Sequence, residues 1–313
     1  MFTVRLLSLS LTFVAMGGAA EKFSFERPLM GTRFSVICYA ESREVAEKAA
    51  EAAFSKAEEM NRCASDYLPE SELSRLPAHP VNKPIPLSPV LYELLDHSRR
   101  LAEATDGAFD PTLGPLTKLW RESRANHTLP DAEILKAARA SVGWRHFTLD
   151  PKARTITLHR ENMAFDLGGI AKGYAADLML ETLAEAGISQ ALITAGGDIR
   201  LGDAPPGREG WKVAVKTFDL SGNDEILTLS TAAVSTSGDL HQSVEIDGVK
   251  YSHVLDPATG LGLTRRIAAS VIADNAKLSD ALATAACVLG ADGCDELRKM
   301  AGVRDVKIRV SED

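Results

Sequence analysis

From residue 147 onward the sequence breaks into short strand-like runs divided by turn residues, with few helical stretches among them. Such runs are read at 191–194, 211–215, 226–229, 243–246, 249–255, 267–273 and 306–310, and two more flank the Asp150-Pro151 turn. Asp247-Gly248 between two of them is a hairpin signal. Helical spacing appears at 174–186 and 276–289. A regular βαβ fold needs a helix between successive strands, and this uneven succession excludes it. The pattern indicates an α+β fold.

The first half is richer in helix. A strand is expected at 33–39, followed by a helix over 42–62 with Val45, Ala49, Ala52, Ala53, Ala57 and Met60 on one face. A polar, Pro-containing stretch covers 64–89, and Ser88-Pro89 then opens a helix that Asp106-Gly107 stops. Ala108-Phe109-Asp110-Pro111-Thr112 breaks regular structure, and a weaker helix spans 131–142.

Composition limits the function classes. With 313 residues, 45% hydrophobic and 25% charged, the chain is neither disordered, collagen-like nor a multi-span membrane protein. Its net charge of −8 gives no electrostatic ground for binding nucleic acid. Residues 1–20 have Arg5, an apolar run over 6–16 and the small residues Gly17-Gly18-Ala19-Ala20. This reads as a secretory signal, with a buried first strand or helix as the other reading. The expected mature chain, 21–313, is one soluble unit, and no Cys follows the apolar run to carry a lipid. Cys38, Cys63, Cys287 and Cys294 form no C-x-x-C pair, so buried thiols are expected, while a disulfide stays open in an exported protein.

Four segments carry candidate chemistry. Asp166-Leu167-Gly168-Gly169-Ile170-Ala171-Lys172-Gly173 precedes a helix. Its glycines admit close backbone approach, and the helix N-terminus offers N–H groups to an anion. Lys172 at that positive dipole end is disfavoured unless an anion shares the site; the other reading is a tight turn with a solvated lysine. Asp280 and Thr284 stand four residues apart on one face of an otherwise small, apolar helix. Their oxygens suit Mg²⁺, or they serve as a cap and a back-bonded hydroxyl.

Ser235-Thr236-Ser237-Gly238-Asp239 reads as a polar loop with hydroxyls fit for phosphate. His253, late in an expected strand and near Asp256-Pro257, could move a proton or be structural. Ala195-Gly196-Gly197-Asp198 reads as a structural turn nearby. The nucleotide fingerprints G-x-x-x-x-G-K-[ST] and G-x-G-x-x-G do not occur, nor do S-x-x-K, G-x-S-x-G or H-E-x-x-H.

Taken in order, these segments resemble the FAD:protein FMN transferase family, the ApbE family. The matching stretches are Met30-Gly31-Thr32, Ser71-Glu72-Leu73-Ser74-Arg75, Ala108-Phe109-Asp110-Pro111-Thr112, Asp166 through Ala175, and Gly196-Gly197-Asp198. Thr236-Ser237-Gly238-Asp239, His253 through Gly260, and Asp280 through Thr284 complete the series. The resemblance implies a mixed, mainly antiparallel sheet packed with helices, an ApbE-like, T-fold-related architecture. It implies an enzyme that uses Mg²⁺ to split FAD, moves FMN onto a threonine hydroxyl of a partner flavoprotein and releases AMP.

By the same resemblance Met30, Tyr67, Ala108, Phe109, Asp110, Asp166 and Lys172 contact FAD, with Val254 or Leu255 lining the flavin or adenine side. Asp280, Thr284 and the Gly169 carbonyl hold the metal, and His253 lies at the reacting phosphate. The chain has no Ser/Thr-Gly-Ala-Thr acceptor sequence, so the flavinylated protein is another polypeptide. A periplasmic location follows from the signal.

Overall fold

A computed structural model describes residues 20–215, 224–238 and 243–311. The expected signal segment and Asp239 lie outside the described residues.

The chain enters on a hairpin, β1 (Glu21–Leu29) and β2 (Thr32–Ala40), and then helix α1 (Arg43–Ala64). Short elements follow: α2 (Glu72–Arg75) and β3 (Pro84–Pro86). Three helices come next, α3 (Pro89–Ala104), α4 (Gly114–Asn126) and α5 (Ala132–Ala140), then strands β4 (Phe147–Asp150) and β5 (Thr155–Leu158). Helix α6 (Ala171–Glu185) leads to β6 (Ala191–Ala195), β7 (Asp198–Leu201), β8 (Trp211–Val215) and β9 (Glu225–Leu229). The last part holds β10 (Ala233–Gly238), β11 (Ser243–Ile246), β12 (Val249–Ser252), β13 (Arg266–Ala273), α7 (Ala276–Leu289), α8 (Cys294–Arg298) and β14 (Val303–Ser311).

Seven strands form one sheet in the order β1-β2-β6-β7-β10-β13-β14. Every pairing within it is antiparallel. Alternation along each strand sends one set of side chains to each face. Val36, Cys38, Ile193, Ala233, Ala269 and Val271 join the main core with α1, α6 and α7. Leu201, Val234 and Ile272 face the other way, where Trp211, Val213 and Val215 of the β8–β9 hairpin cover them. A third cluster, Leu116, Trp120, Val244, Ile246, Tyr251 and Leu255, packs α4 against the β11–β12 hairpin.

Local sequence explains most helix starts. Ser42, Ser88 and Asn275 accept hydrogen bonds from Val45, Leu91 and Leu278 N–H at the heads of α1, α3 and α7. The buried residues of α1 include Ala46, Ala49, Ala50, Ala53 and Ala57, a small-residue stripe that lets it lie close against its neighbours. The Asp247-Gly248 turn has both φ angles positive, at 52° and 78°, as a two-residue hairpin requires.

Several sequence expectations are corrected. Strand β1 and helix α4 were not expected at all. Ser235, Thr236, Ser237 and Gly238 belong to β10 rather than to a loop, because Thr236 and Ser235 pair their hydroxyls with Ser270 and Ser279 at 2.7 and 2.8 Å. Strand β12 ends at Ser252, so His253 follows the strand instead of lying within it. Helix α6 begins at Ala171, ahead of the expected 174. The expectation of buried thiols is met at Cys38, Cys287 and Cys294; Cys63 is half-buried, and all four are free. No helix among the described residues is long and apolar enough to cross a membrane.

Candidate active site

Two motif loops are laid side by side beneath α4. Asp166 N–H donates to the Pro111 carbonyl at 2.9 Å, and Leu113 bridges Ala164. Within the first loop Asp110 is buried, and Oδ1 accepts from Thr112 N–H and Oγ1 at 2.8 and 2.6 Å while Oδ2 accepts from Trp144 N–H at 3.1 Å. Burial raises its pKa, and these donors oppose the rise. Its carboxylate therefore ties the Thr112 turn to the Trp144 backbone, while Phe109 N–H is held by Thr105 Oγ1 at 3.1 Å. In the second loop Asp166 Oδ1 accepts from Gly168 N–H at 2.8 Å, closing the turn before α6.

Helices α6 and α7 cap one another. The N-terminus of α6 has no side-chain cap of its own. Instead Asp280 of α7 accepts from Gly173 N–H at 3.0 Å. In return Asp177 of α6 accepts from Ala276 and Lys277 N–H at the head of α7, both at 2.9 Å. Arg200 Nε of β7 donates to Asp177 at 2.8 Å, balancing its charge. The crossing is possible because residue 173 is glycine: a Cβ there would stand 2.1 Å from the Ala276 carbonyl oxygen.

This crossing gathers three charges, two buried carboxylates and the half-buried Lys172. Lys172 Nζ lies 3.2 Å from Asp280 Oδ2 and 3.1 Å from Asp198 Oδ2, and both carboxylates are only 4% exposed. Burial works against the Lys172 charge, but the two carboxylates outweigh it and hold the ammonium above its ordinary pKa. For Asp280 burial and the neighbouring Asp198 charge prevail over Lys172, pushing its pKa up to about 6. Asp198 Oδ2 faces the ammonium without an aligned hydrogen bond. Two carboxylates against one ammonium leave an uncompensated negative charge.

Thr284 lies on the same face of α7, one turn beyond Asp280. Its hydroxyl meets Ser237 Oγ of β10 at 3.3 Å, so it reaches across to the sheet. A Cβ at Gly169 would stand 3.1 Å from Thr284 Oγ1, filling the space between that hydroxyl and the loop. Carboxylate, hydroxyl and carbonyl oxygens beside surplus negative charge are a hard-donor set that fits Mg²⁺. Among the described residues no cluster of three or more His, Cys, Asp and Glu side chains could hold a metal, so such a site rests on mixed oxygens.

The opposite wall comes from α4 and the segment after β12. Trp120 Nε1 donates to the Ser252 carbonyl at 3.1 Å, and its ring meets Tyr251 edge-on at 5.5 Å. Ser252 Oγ then accepts from Val254 N–H at 3.0 Å, which turns His253, Val254 and Leu255 toward the cleft.

Together these elements enclose a cleft of about 310 Å³. Tyr67, Ala108, Phe109, Asp110, Asp166, Gly169, Lys172, His253, Val254, Leu255, Asp280 and Thr284 all line it. Met30 does not: it sits at the β1–β2 turn with φ of 50°, lining a separate groove with Arg27, Leu29 and Arg33. The resemblance alone pointed to Met30; its turn abuts the one at Gly196, whose N–H donates to the Arg33 carbonyl at 3.1 Å.

Sequence reasoning missed the whole α4 contribution, Leu113, Thr117, Trp120, Arg121 and Arg124. A helical signal was there: Pro115 in the first turn, Leu116, Trp120 and Ser123 buried at helical spacing, and basic Arg124 in the last turn. It also missed Asp177, whose charge in a largely apolar helix was the available sign.

Known proteins are similar to this chain in sequence and fold. The ApbE family profile covers residues 30–306. An FAD:protein FMN transferase of Vibrio cholerae is 33% identical over 279 residues, 87% of this chain and 82% of that protein. One of Treponema pallidum is 32% identical over 308 residues, 92% of this chain and 85% of its own length. The crystal structure of the Pseudomonas stutzeri flavinyl transferase ApbE superposes with a TM-score of 0.80 at 28% identity, covering 94% of this chain and 96% of that one. With the family profile spanning most of the chain and relatives above 30% identity along it, the chain belongs to the ApbE family.

Proposed function

We propose that this protein transfers FMN from FAD to a threonine hydroxyl of a partner flavoprotein bearing a Ser/Thr-Gly-Ala-Thr type site, with Mg²⁺, and that it does so in the periplasm. The observation that carries the reading is the convergence of Lys172, Asp280, Thr284 and Gly169 with His253 on one cleft. The family relatives named as FAD:protein FMN transferases support the overall transfer. The metal, the acceptor residue and the location rest on the donor set, the motif series and the N-terminal sequence.

Asp280, Thr284 and the Gly169 carbonyl would hold Mg²⁺. When bound, the ion neutralises diphosphate charge and polarises the phosphorus–oxygen bond. Lys172, kept charged by two carboxylates, offers a fixed cation to the same diphosphate. Phe109, Val254 and Leu255, each less than a tenth exposed, give the flavin or adenine ring an apolar wall. The threonine Oγ forms a bond to the flavin-side phosphorus as the bond from that phosphorus to the bridging oxygen breaks. AMP leaves with that oxygen, and His253 takes the hydroxyl proton.

The test incubates the mature protein with FAD, Mg²⁺ and an acceptor domain carrying the Ser/Thr-Gly-Ala-Thr site, and looks for a fluorescent band on a denaturing gel. The expected result is covalent flavin and stoichiometric AMP. Release of FMN and AMP without acceptor, at a rate the acceptor does not raise, would identify a pyrophosphatase instead. Tight FAD binding with neither outcome would leave a carrier. Recovery from the periplasmic fraction with an N-terminus near Glu21 tests the location.

A further inference from the structure

Tyr67 lines the cleft, yet its side chain is the most exposed of the large hydrophobic residues described, at 71%. An exposed ring on a loop has rotamer freedom that a binding platform must lose. The backbone beneath it is fixed: Tyr67 N–H donates to Ser65 Oγ at 3.2 Å, and Ser71 Oγ donates to the Ser65 carbonyl at 2.6 Å. Nothing in those contacts holds the ring.

Arg121 does. Its guanidinium carbon lies 4.0 Å from the centre of the Tyr67 ring. One end of the guanidinium donates to Asp66 Oδ2 at 2.5 Å, and the other stands 3.9 Å from Asp166 Oδ2. The guanidinium is thus tied to two carboxylates where it lies over the ring. Both carboxylates hold the Arg121 charge above its ordinary pKa against the opposing effect of burial. A lysine could supply the charge but not the flat, two-ended bridge.

We infer that Arg121 is a positioning residue: it clamps the Tyr67 ring against the cleft mouth as a stacking platform for a planar ring of FAD, and it acts through Tyr67 rather than on the ligand. One side chain from α4 thereby joins the 65–71 loop and the Asp166 turn into a single wall. The inference rests on the FAD reading of the cleft.

A double-mutant cycle on FAD affinity tests it, using Tyr67→Ala, Arg121→Ala and the pair, with fluorescence quenching of added FAD as readout. Loss of a stacking platform weakens binding about tenfold. The clamp predicts that loss for each single variant and about the same loss for the pair. KM for FAD rises in Arg121→Ala while kcat and Mn²⁺ affinity stay near wild type, and Arg121→Lys recovers part of the affinity.

Losses that multiply in the pair overturn the clamp, because Arg121 then touches FAD directly. So does wild-type affinity in Arg121→Ala, or a crystal structure of that variant with the Tyr67 ring unmoved. If Arg121→Ala does not fold, Arg121→Lys carries the cycle. A wild-type protein that fails to bind FAD overturns the FAD reading and this inference with it, whereas failure of the clamp alone leaves that reading standing.

Discussion

The backbone N–H of Gly173 donates to Asp280 Oδ2 at 3.0 Å, so the carboxylate assigned to the metal is also the cap of the helix that carries Lys172. One carboxylate thus fixes the helix position and supplies part of the site's charge. Gly173→Ala places a Cβ 2.1 Å from the Ala276 carbonyl oxygen and 2.9 Å from Asp280 Cβ, with backbone on one side and a short side chain on the other. The helices must part. Overpacking of this kind costs about 1–3 kcal/mol or more. Chemical denaturation will show that loss, and Mn²⁺ binding will fall with it.

Asp198→Asn removes the surplus negative charge while keeping the side chain's shape. Lys172 is then left with Asp280 alone, and an arriving divalent cation must compete with it. The variant should fold normally and bind Mn²⁺ about tenfold or more weakly, in line with the loss of a charge at short range in a buried setting. Titration followed by EPR reads the difference. Unchanged affinity would mean that Asp198 serves the sheet and not the site.

Asp177→Ala breaks the reciprocal cap. It frees the Ala276 and Lys277 N–H groups and leaves Arg200, only 18% exposed in its side chain, without its carboxylate. Stranding one partner of a buried pair costs about 3–5 kcal/mol. Urea unfolding should show this even without ligand, and the head of α7 should lose amide-exchange protection first.

His253→Ala tests the proton role. With the cleft otherwise intact, FAD affinity should stay within a few-fold of wild type. Transfer to the acceptor should fall by about 10²–10⁴, the usual contribution of a positioned proton acceptor. Equal losses in binding and turnover would place His253 among the binding residues instead.

The thiols give a pH signature remote from the site. Burial pushes Cys38 up to about 11 from an ordinary 9.0, and burial also dominates at Cys63, which reaches about 11. Between those values the unfolded chain has lost protons that the folded one keeps. Unfolding free energy therefore falls as pH rises through the window of about 9 to 11, and is unaffected by these groups below it. Denaturation across that range will show the slope, and replacing Cys38 with Ser removes part of it. At pH 8 a disulfide exchange reagent should find Cys38, Cys287 and Cys294 unreactive until the protein unfolds.

How much of this could be read from sequence varied with how local its cause is. Helix α7 was legible to the residue, because Asn275 caps it and Gly290 ends it. Lys172, Asp280 and Thr284 were legible as unusual oxygens and a misplaced cation in small, apolar surroundings. Strand β10 was not: Ser235-Thr236-Ser237-Gly238 has the composition of a loop, and only partners on β13 and α7 satisfy its hydroxyls. Helix α4 was passed over although Pro115 in its first turn and the spacing of Leu116, Trp120 and Ser123 marked it, because Pro111 just ahead reads as a break. Arg121 carried no sequence signal, since its meaning lies in Tyr67, Asp66 and Asp166 meeting around it. Met30 shows the converse, a position supplied by family resemblance alone, placed at the β1–β2 turn in a groove of its own.

The pairing of β2 with β6 joins residues such as Ser35 and Thr194, whose hydroxyls meet at 2.6 Å across a separation of 159 positions. Contacts that distant form slowly, because the intervening loop must close first. The cleft draws its walls from Tyr67 through Thr284, so no shorter stretch of chain contains it. A nascent or truncated polypeptide that ends at β13 has Lys172 and Asp198 but neither Asp280 nor Thr284. Flavin retention is thereby a readout of completed synthesis and folding: a chain that holds its nucleotide has already brought the Tyr67 loop and its last long helix to one cleft.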